Sequence, residues 1–202
     1  MIAIVDYGLG NLASVRNMLK KAGAPSEITR DPDLIMKADR VILPGVGAFG
    51  IGMSNLNSFG LVEVLKEKAK TGNPMLGICL GAQLMTAFSE ENDCEGLNFF
   101  DARTSRFPND GDLKVPHMGW SNITIEQTQH PLFAGVVVTP RYYFVHSYYM
   151  QAMRESDQLC GCQYGLTFAA GLAKDNLAGV QFHPEKSHVF GLQLMKNFIA
   201  WK

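Results

Sequence analysis

The sequence predicts an α/β fold: a mixed, mostly parallel central sheet flanked by helices, with added antiparallel strands in the second half. Three observations predict it. Short, wholly apolar runs alternate with amphipathic stretches through the first half, the pattern of buried parallel strands and their crossover helices. From about Gly96 the chain changes to turn-rich segments of strand character. Hydrophobic residues make up 47% and charged residues 18%, enough apolar surface for a real core and too much for disorder.

The elements follow in order. Ile2–Val5 is a short apolar run, read as a buried strand. Asn11 can cap a helix running through Val15, Met18 and Leu19 to Gly23, a good stop residue. Residues 40–43 give a second apolar strand, ended by Pro44 and Gly45. Residues 61–71 are amphipathic and charged on one face, hence a surface helix. Residues 74–78 read as a third central strand and residues 81–88 as the helix after it. In the second half, strands are expected around residues 103–107, 122–125, 141–149, 158–163, 166–173 and 177–182. An amphipathic helix over 188–201 closes the chain. No internal repeat, low-complexity tract or Pro/Gly/Ser linker interrupts it, so residues 1–202 are expected to form a single domain.

Charge and cysteine usage exclude several classes. Net charge is −1 and the pI about 6.5, so no basic stripe points to nucleic acid. No run has the apolar length of a membrane span, and Met1–Asp6 reads as a strand, not a signal peptide. The four cysteines, Cys79, Cys94, Cys160 and Cys162, match neither a disulfide scaffold nor a Cys-x-x-Cys metal pair. Reduced thiols in a cytoplasmic protein is the simplest account.

The strongest local feature is Gly77-Ile78-Cys79-Leu80-Gly81. A strand ends, a reactive residue follows and a helix begins, with glycines on both sides. That is the pattern of a nucleophile elbow, with cysteine where hydrolases carry serine. A helix N-terminus favours a thiolate. The bland alternative is a small buried cysteine beside a tight turn. The second feature is Phe182-His183-Pro184-Glu185 after an apolar strand. Pro184 keeps His183 extended, so His183 and Glu185 can face one side, a base oriented by a carboxylate. A surface His–Glu pair is the plain alternative. A metal reading would add His188, but His183-x-x-x-x-His188 matches no helical zinc motif, and Pro184 breaks the helix such motifs use. The third feature is Pro44-Gly45-Val46-Gly47-Ala48-Phe49-Gly50, whose glycines would let backbone N–H groups converge on an anion. It could equally be a flexible loop. A rival signal is Gly8-x-Gly10-x-x-Ala13, which formally matches a dinucleotide fingerprint with Glu27 or Asp31 as the ribose carboxylate. A tight turn into a helix explains it as well.

Together, a cysteine elbow, a downstream His-Pro-Glu and a glycine-rich loop, each ending a strand, resemble the class I (triad) glutamine amidotransferases, whose central sheet is flavodoxin-like. Within that class the sequence is similar to the glutaminase subunits of imidazole glycerol phosphate synthases. Asp6–Asn11, Pro44–Gly50, Lys114–Trp120, Tyr143–Tyr148 and His183–Ser187 carry the likeness. The resemblance implies that Cys79 is the nucleophile, His183 the general base and acid, and Glu185 its orienter. It implies an oxyanion hole from N–H groups near Val46 and Gly47 and at Leu80. Gln83, Glu91, Tyr143 and Ser147 fall where the family holds the amino-acid part of L-glutamine. Asn11, Trp120 and Lys186 fall where it meets the synthase subunit. No cofactor and no metal are implied.

The implied partner is a (β/α)-barrel cyclase subunit in a heterodimer. It would receive the ammonia and make imidazole glycerol phosphate and an aminoimidazole carboxamide ribotide, for histidine and purine synthesis. By themselves, Gln83 and Glu91 read as a solvated helix face, and Tyr143 and Tyr148 as core aromatics. Ala82, Ser121 and the Cys160–Gly165 segment depart from the family pattern. They keep open a paralogue that feeds ammonia to a sugar-amidating system. A stand-alone cysteine hydrolase and a nucleotide-binding module are the other readings.

Overall fold

A strand buried on both faces needs side chains that are apolar on both, and the first-half runs supply them. The computed structural model describes residues 1–108, 111 and 113–202. The first half runs β1 (Ile2–Val5), α1 (Leu12–Ala22), β2 (Ser26–Thr29), α2 (Pro32–Lys37), β3 (Arg40–Gly45), α3 (Phe49–Ser58), α4 (Leu61–Lys70), β4 (Met75–Cys79) and α5 (Leu80–Leu84). The second half runs β5 (Thr86–Ser89), β6 (Cys94–Glu95), β7 (Phe100–Arg106), β8 (His117–Asn122), β9 (Thr124–Ile125), β10 (Arg141–His146), β11 (Tyr148–Ala152), β12 (Gln158–Tyr164), β13 (Leu166–Lys174), β14 (Leu177–Val180) and α6 (His188–Ala200).

The main sheet has the order β2-β1-β3-β4-β14-β13-β11-β7-β5-β6. Its first five strands are mutually parallel; β13 then runs antiparallel to β14, and β11 antiparallel to β13. β8 and β10 form a separate antiparallel pair. The parallel block separates two apolar layers, as strand alternation requires. Ile2 and Ile4 share one layer with Val15, Leu19 and Phe198, under α1 and α6. Ala3 and Val5 share the other with Ile35, Leu56 and Leu65, under α2, α3 and α4. Asn11 caps α1 by accepting the Ser14 N–H at 3.3 Å, and Gly23 ends it at φ 93°, as the sequence predicts.

The differences from expectation have physical reasons. β2 escapes detection because it is a half-exposed edge strand of mixed polarity. α3 escapes because Gly50, Gly52, Asn55 and Asn57 hide its periodicity. The helix expected over 81–88 ends at Leu84, and Thr86–Ser89 is a strand. A continuous apolar run does not separate the two. The strand expected over 141–149 is two strands in different sheets, divided at Ser147. That over 122–125 is the end of β8 followed by β9.

Candidate active site

In open parallel sheets, ligand sites form beyond the carboxyl ends of the strands. Here β3, β4 and β14 end side by side, with Gly45 opposite Cys79 and Val180 opposite Ile78. Cys79 lies between β4 and α5 at φ 53° and ψ −111°, a conformation that non-glycine residues rarely hold. The flanking glycines allow that bend. A Cβ at Gly77 would lie 2.7 Å from Ala82 Cα, and one at Gly81 would overlap the Leu43 carbonyl. Cys79 is buried but lines a cavity, and Leu80 is the first residue of α5, where N–H groups lack intrahelical partners.

His183 follows β14 in extended conformation, as Pro184 requires. Residues 184–186 then form one 3₁₀ turn, and it is this turn that brings Glu185 back to the imidazole. Glu185 Oε1 lies 2.7 Å from His183 Nδ1, and both side chains are buried. Burial disfavours the imidazolium, but the Cys79 sulfur and the Glu185 carboxylate outweigh it and raise His183 to about 10. Nε2 makes no hydrogen bond of ordinary geometry among the described residues, although Cys79 is near enough to stabilise its proton. The main chain at His183 is clamped to β10. His183 N–H donates to Tyr143 O at 2.9 Å, and Ser187 Oγ–H donates to His183 O at 2.6 Å while accepting Tyr143 N–H at 3.0 Å.

A cavity of about 390 Å³ opens at this corner, walled in part by Val46, Gly47, Cys79, Leu80, Gln83, Glu91 and Ser147. These are the residues expected around the reacting carbon and the amino-acid moiety, except Tyr143 and the buried His183–Glu185 pair, which do not line it. Pro116, Val145, His146 and Tyr148 complete the wall. The first three fall in stretches that carry the family likeness but had no role assigned, and Tyr148 read as core. Tyr143 stands apart from the cavity wall. Its ring lies 6.2 Å from Trp120 and 5.6 Å from Lys186 Nζ. Trp120 is 42% exposed and Lys186 is exposed, so the two surface residues expected at the partner face share Tyr143 as their floor. Asn11 is also exposed, but its side chain is engaged in capping α1. His188 stacks on Trp120 at 5.4 Å, and no set of three metal-ligating side chains occurs among the described residues.

Gln83 and Glu91 are not a solvated helix face. Gln83 is buried, its Nε2 donating to Tyr148 O at 2.9 Å and to Gln181 Oε1 at 3.1 Å. Glu91 lies outside any helix, and its Oε2 accepts the Phe49 N–H at 2.7 Å. It thereby caps α3, whose own N-cap residue, Ala48, has no side chain able to do so. One carboxylate thus reaches both the cavity and the end of the Gly45–Ala48 loop. Glu91→Gln keeps an acceptor for Phe49 but loses the charge, so it should raise KM for the glutamine that the resemblance implies, with little change in kcat. Glu91→Ala should lower kcat as well, and steady-state kinetics on the two variants checks the split.

His146 of the cavity wall pairs with the buried His117. His146 Nδ1 is 2.7 Å from Tyr148 O, a carbonyl that can only accept, so Nδ1 carries the proton and Nε2 is an acceptor. His117 Nδ1–H then donates to His146 Nε2 at 3.0 Å, and Ser121 Oγ–H to His117 Nε2 at 2.8 Å. Burial pushes His117 down to about 4 and His146 to about 3, so both are neutral near pH 7. Ser121, a departure from the family pattern, is thus the terminal donor of this chain. The Gly8–Ala13 turn is filled from within. Asp6 accepts the Gly8 N–H at 3.1 Å and pairs with Arg30 Nη2 at 2.6 Å. Asp31 caps α2, its Oδ1 accepting the Asp33 N–H at 2.9 Å.

The sequence matches the family profile described as glutamine amidotransferase class-I over residues 3–201. The chain belongs to the class I glutamine amidotransferases. It is 48% identical over 200 residues to imidazole glycerol phosphate synthase subunit HisH 2 of Pseudomonas aeruginosa, covering 98% of each chain. It is 49% identical over 201 residues to imidazole glycerol phosphate synthase subunit HisH of Methanosarcina acetivorans, covering 98% of this chain and 97% of that one. A crystal structure described as a glutamine amidotransferase matches 99% of this chain and 98% of its own with a TM-score of 0.76. At 15% identity that likeness speaks for the fold alone. The amidotransferase has no helix, among the described residues, long and apolar enough to cross a membrane.

Proposed function

We propose that this amidotransferase is the glutaminase subunit of imidazole glycerol phosphate synthase. It acts as one domain over residues 1–202 in the cytoplasm, beside a (β/α)-barrel cyclase subunit. The observation that carries the chemistry is the placement of the buried His183–Glu185 pair beside Cys79, which itself lines a cavity walled in part by Val46, Gly47 and Leu80. The Cys79 thiolate attacks the side-chain amide carbon of L-glutamine. N–H groups at Leu80 and at Val46 or Gly47 stabilise the oxyanion. His183, held by Glu185 with its proton facing the sulfur, protonates the departing nitrogen, and ammonia leaves. Water activated by the now neutral His183 cleaves the thioester, releasing glutamate and the free thiol. Gln83, Glu91 and Ser147 hold the amino-acid end from the cavity wall. Tyr143, beneath Trp120 and Lys186, contributes at the mouth facing the partner.

A glutaminase without its own acceptor site would waste glutamine, so the subunit should be weakly active alone. Gly47 is the switch candidate. At φ 124° it holds a conformation that few other residues adopt, and its flanking peptides can rotate at small steric cost. Losing one oxyanion donor lowers the rate by about 10²- to 10³-fold. The barrel partner with its ligand would shift the loop toward the competent state. Trp120→Ala and Lys186→Ala should therefore lose most of the partner's activation while leaving the isolated chain's basal rate nearly unchanged.

The test is glutamine hydrolysis by the isolated chain, by the chain with the cyclase, and by the complex with acceptor ligand. A stepwise rise supports the reading, and equal rates in all three contradict it. Ala82, Ser121 and the Cys160–Gly165 segment depart from the family pattern, so the binding assay includes a second barrel partner, from a sugar-amidating system.

A further inference from the structure

Gln181 takes no part in the chemistry described above, yet it is the polar side chain buried deepest beside the nucleophile. It is fully inaccessible, one residue beyond β14 and two before His183. Its amide orientation follows from its neighbours. The Tyr148 carbonyl can only accept, so the Gln83 group bonded to it at 2.9 Å is the NH₂. The second N–H of that group donates to Gln181 at 3.1 Å, which fixes the atom there as Oε1. The Gln181 NH₂ is left facing Cys79 Sγ at 3.8 Å. Both donors of Gln83 are thereby committed, and the group it has left to offer the cavity is Oε1, an acceptor.

We infer that Gln181 is a positioning residue with two tasks: its NH₂ holds the ionised Cys79 sulfur, and its Oε1 locks Gln83 so that an acceptor faces a substrate N–H. The inference rests on the proposed thioester chemistry at Cys79. A neutral amide suits this place. A carboxylate would repel the thiolate, and an apolar side chain would leave Gln83 with a buried N–H lacking a partner. The ligand class follows too. The group that meets Gln83 is a hydrogen-bond donor, as the ammonium and carboxamide N–H groups of glutamine are.

The experiment measures the rate of Cys79 alkylation by iodoacetamide from pH 5 to 10, with steady-state kinetics on the holo-complex, for the wild type, Q181M and Q181E. Q181M is close in shape and cannot bond, and Q181E brings a negative charge to the sulfur. A hydrogen bond to a charged group weighs about ten- to a hundred-fold. Alkylation of Q181M at pH 7 should fall by about that factor. The midpoint for Q181E should move to higher pH, and KM for glutamine should rise in both variants. Wild-type midpoints and KM values in both would overturn the inference while leaving Cys79 as nucleophile. An unreactive Cys79 in the wild type would instead overturn the underlying reading.

Should either variant fail to fold, the wild type carries the test. The Gln181 side-chain ¹⁵N signal should shift with the same pH midpoint as Cys79 alkylation. A signal that stays fixed while the sulfur titrates would also overturn the inference.

Discussion

Cys79→Ala should reduce glutamine hydrolysis in the complex by about 10⁴- to 10⁶-fold, the scale seen when a triad nucleophile is removed. Cys79→Ser should fare little better, because an alcohol gives almost no nucleophilic anion near neutral pH in an elbow built around sulfur. The other three cysteines should tolerate serine or alanine with near-normal rates. Cys160 and Cys162 are buried, and burial raises both thiols, Cys162 to about 11. Cys94 lies in β6 away from the cavity, and burial raises its thiol too. Glutaminase assays with the partner present, alongside ammonia-dependent synthesis by the cyclase, separate a lost nucleophile from a lost fold. The Cys79 variants should still support synthesis from free ammonia.

His183→Ala should cost about as much as the loss of Cys79, and Glu185→Gln less, about 10⁴-fold or below. The carboxylate at 2.7 Å accepts the Nδ1 proton and leaves Nε2 to serve the sulfur. A glutamine there can turn its NH₂ toward Nδ1 and select the opposite tautomer. Single-turnover acylation measures both variants, and a larger loss in Glu185→Gln than in His183→Ala would contradict the assignment. The same pair predicts a pH signature in stability. Burial lowers the imidazolium's pKa, and Cys79 and Glu185 more than offset it, so His183 titrates at about 10 in the folded chain and near 6.5 unfolded. The folded state binds the extra proton between those values. The contribution is therefore fully present below about pH 6.5 and lost as pH rises through about 10. Denaturant titrations across that window should show stability falling with pH in the wild type, and falling less in Glu185→Gln.

Much of this was legible in the sequence because buried parallel strands are written as unbroken apolar runs. Ile2–Val5 and Met75–Cys79 could hardly be anything else, and the reactive residues sit where such runs stop. Cys79 was marked by its glycines, and the structure gives the reason: a Cβ at Gly77 or Gly81 would collide with Ala82 or Leu43. Other features depend on neighbours remote in sequence. Glu91 looked like a solvated residue because its partner, the Phe49 N–H, lies 42 residues away. His117 and His146 are ordinary histidines until β8 and β10 pair and place them opposite each other. Gln181 did leave a trace, a lone amide inside the apolar run Leu177–Phe182, which makes sense only once Gln83 and Cys79 converge on it. Tyr143 reads as one of the glutamine ligands by resemblance, but strand alternation places it under Trp120 and Lys186.

The proposed chemistry forms a covalent glutamyl–cysteine intermediate at one residue, with ammonia released to a partner as it forms and glutamate released as it is hydrolysed. Rapid acid quench of the complex during glutamine turnover, followed by peptide mass spectrometry, tests this most directly. A glutamyl thioester is expected on the peptide that holds Cys79. It should accumulate when hydrolysis is slowed and be absent from Cys79→Ala and from the other cysteines. Sustained turnover with no adduct at Cys79, or an adduct on Cys94, Cys160 or Cys162 that persists in Cys79→Ala, would contradict it.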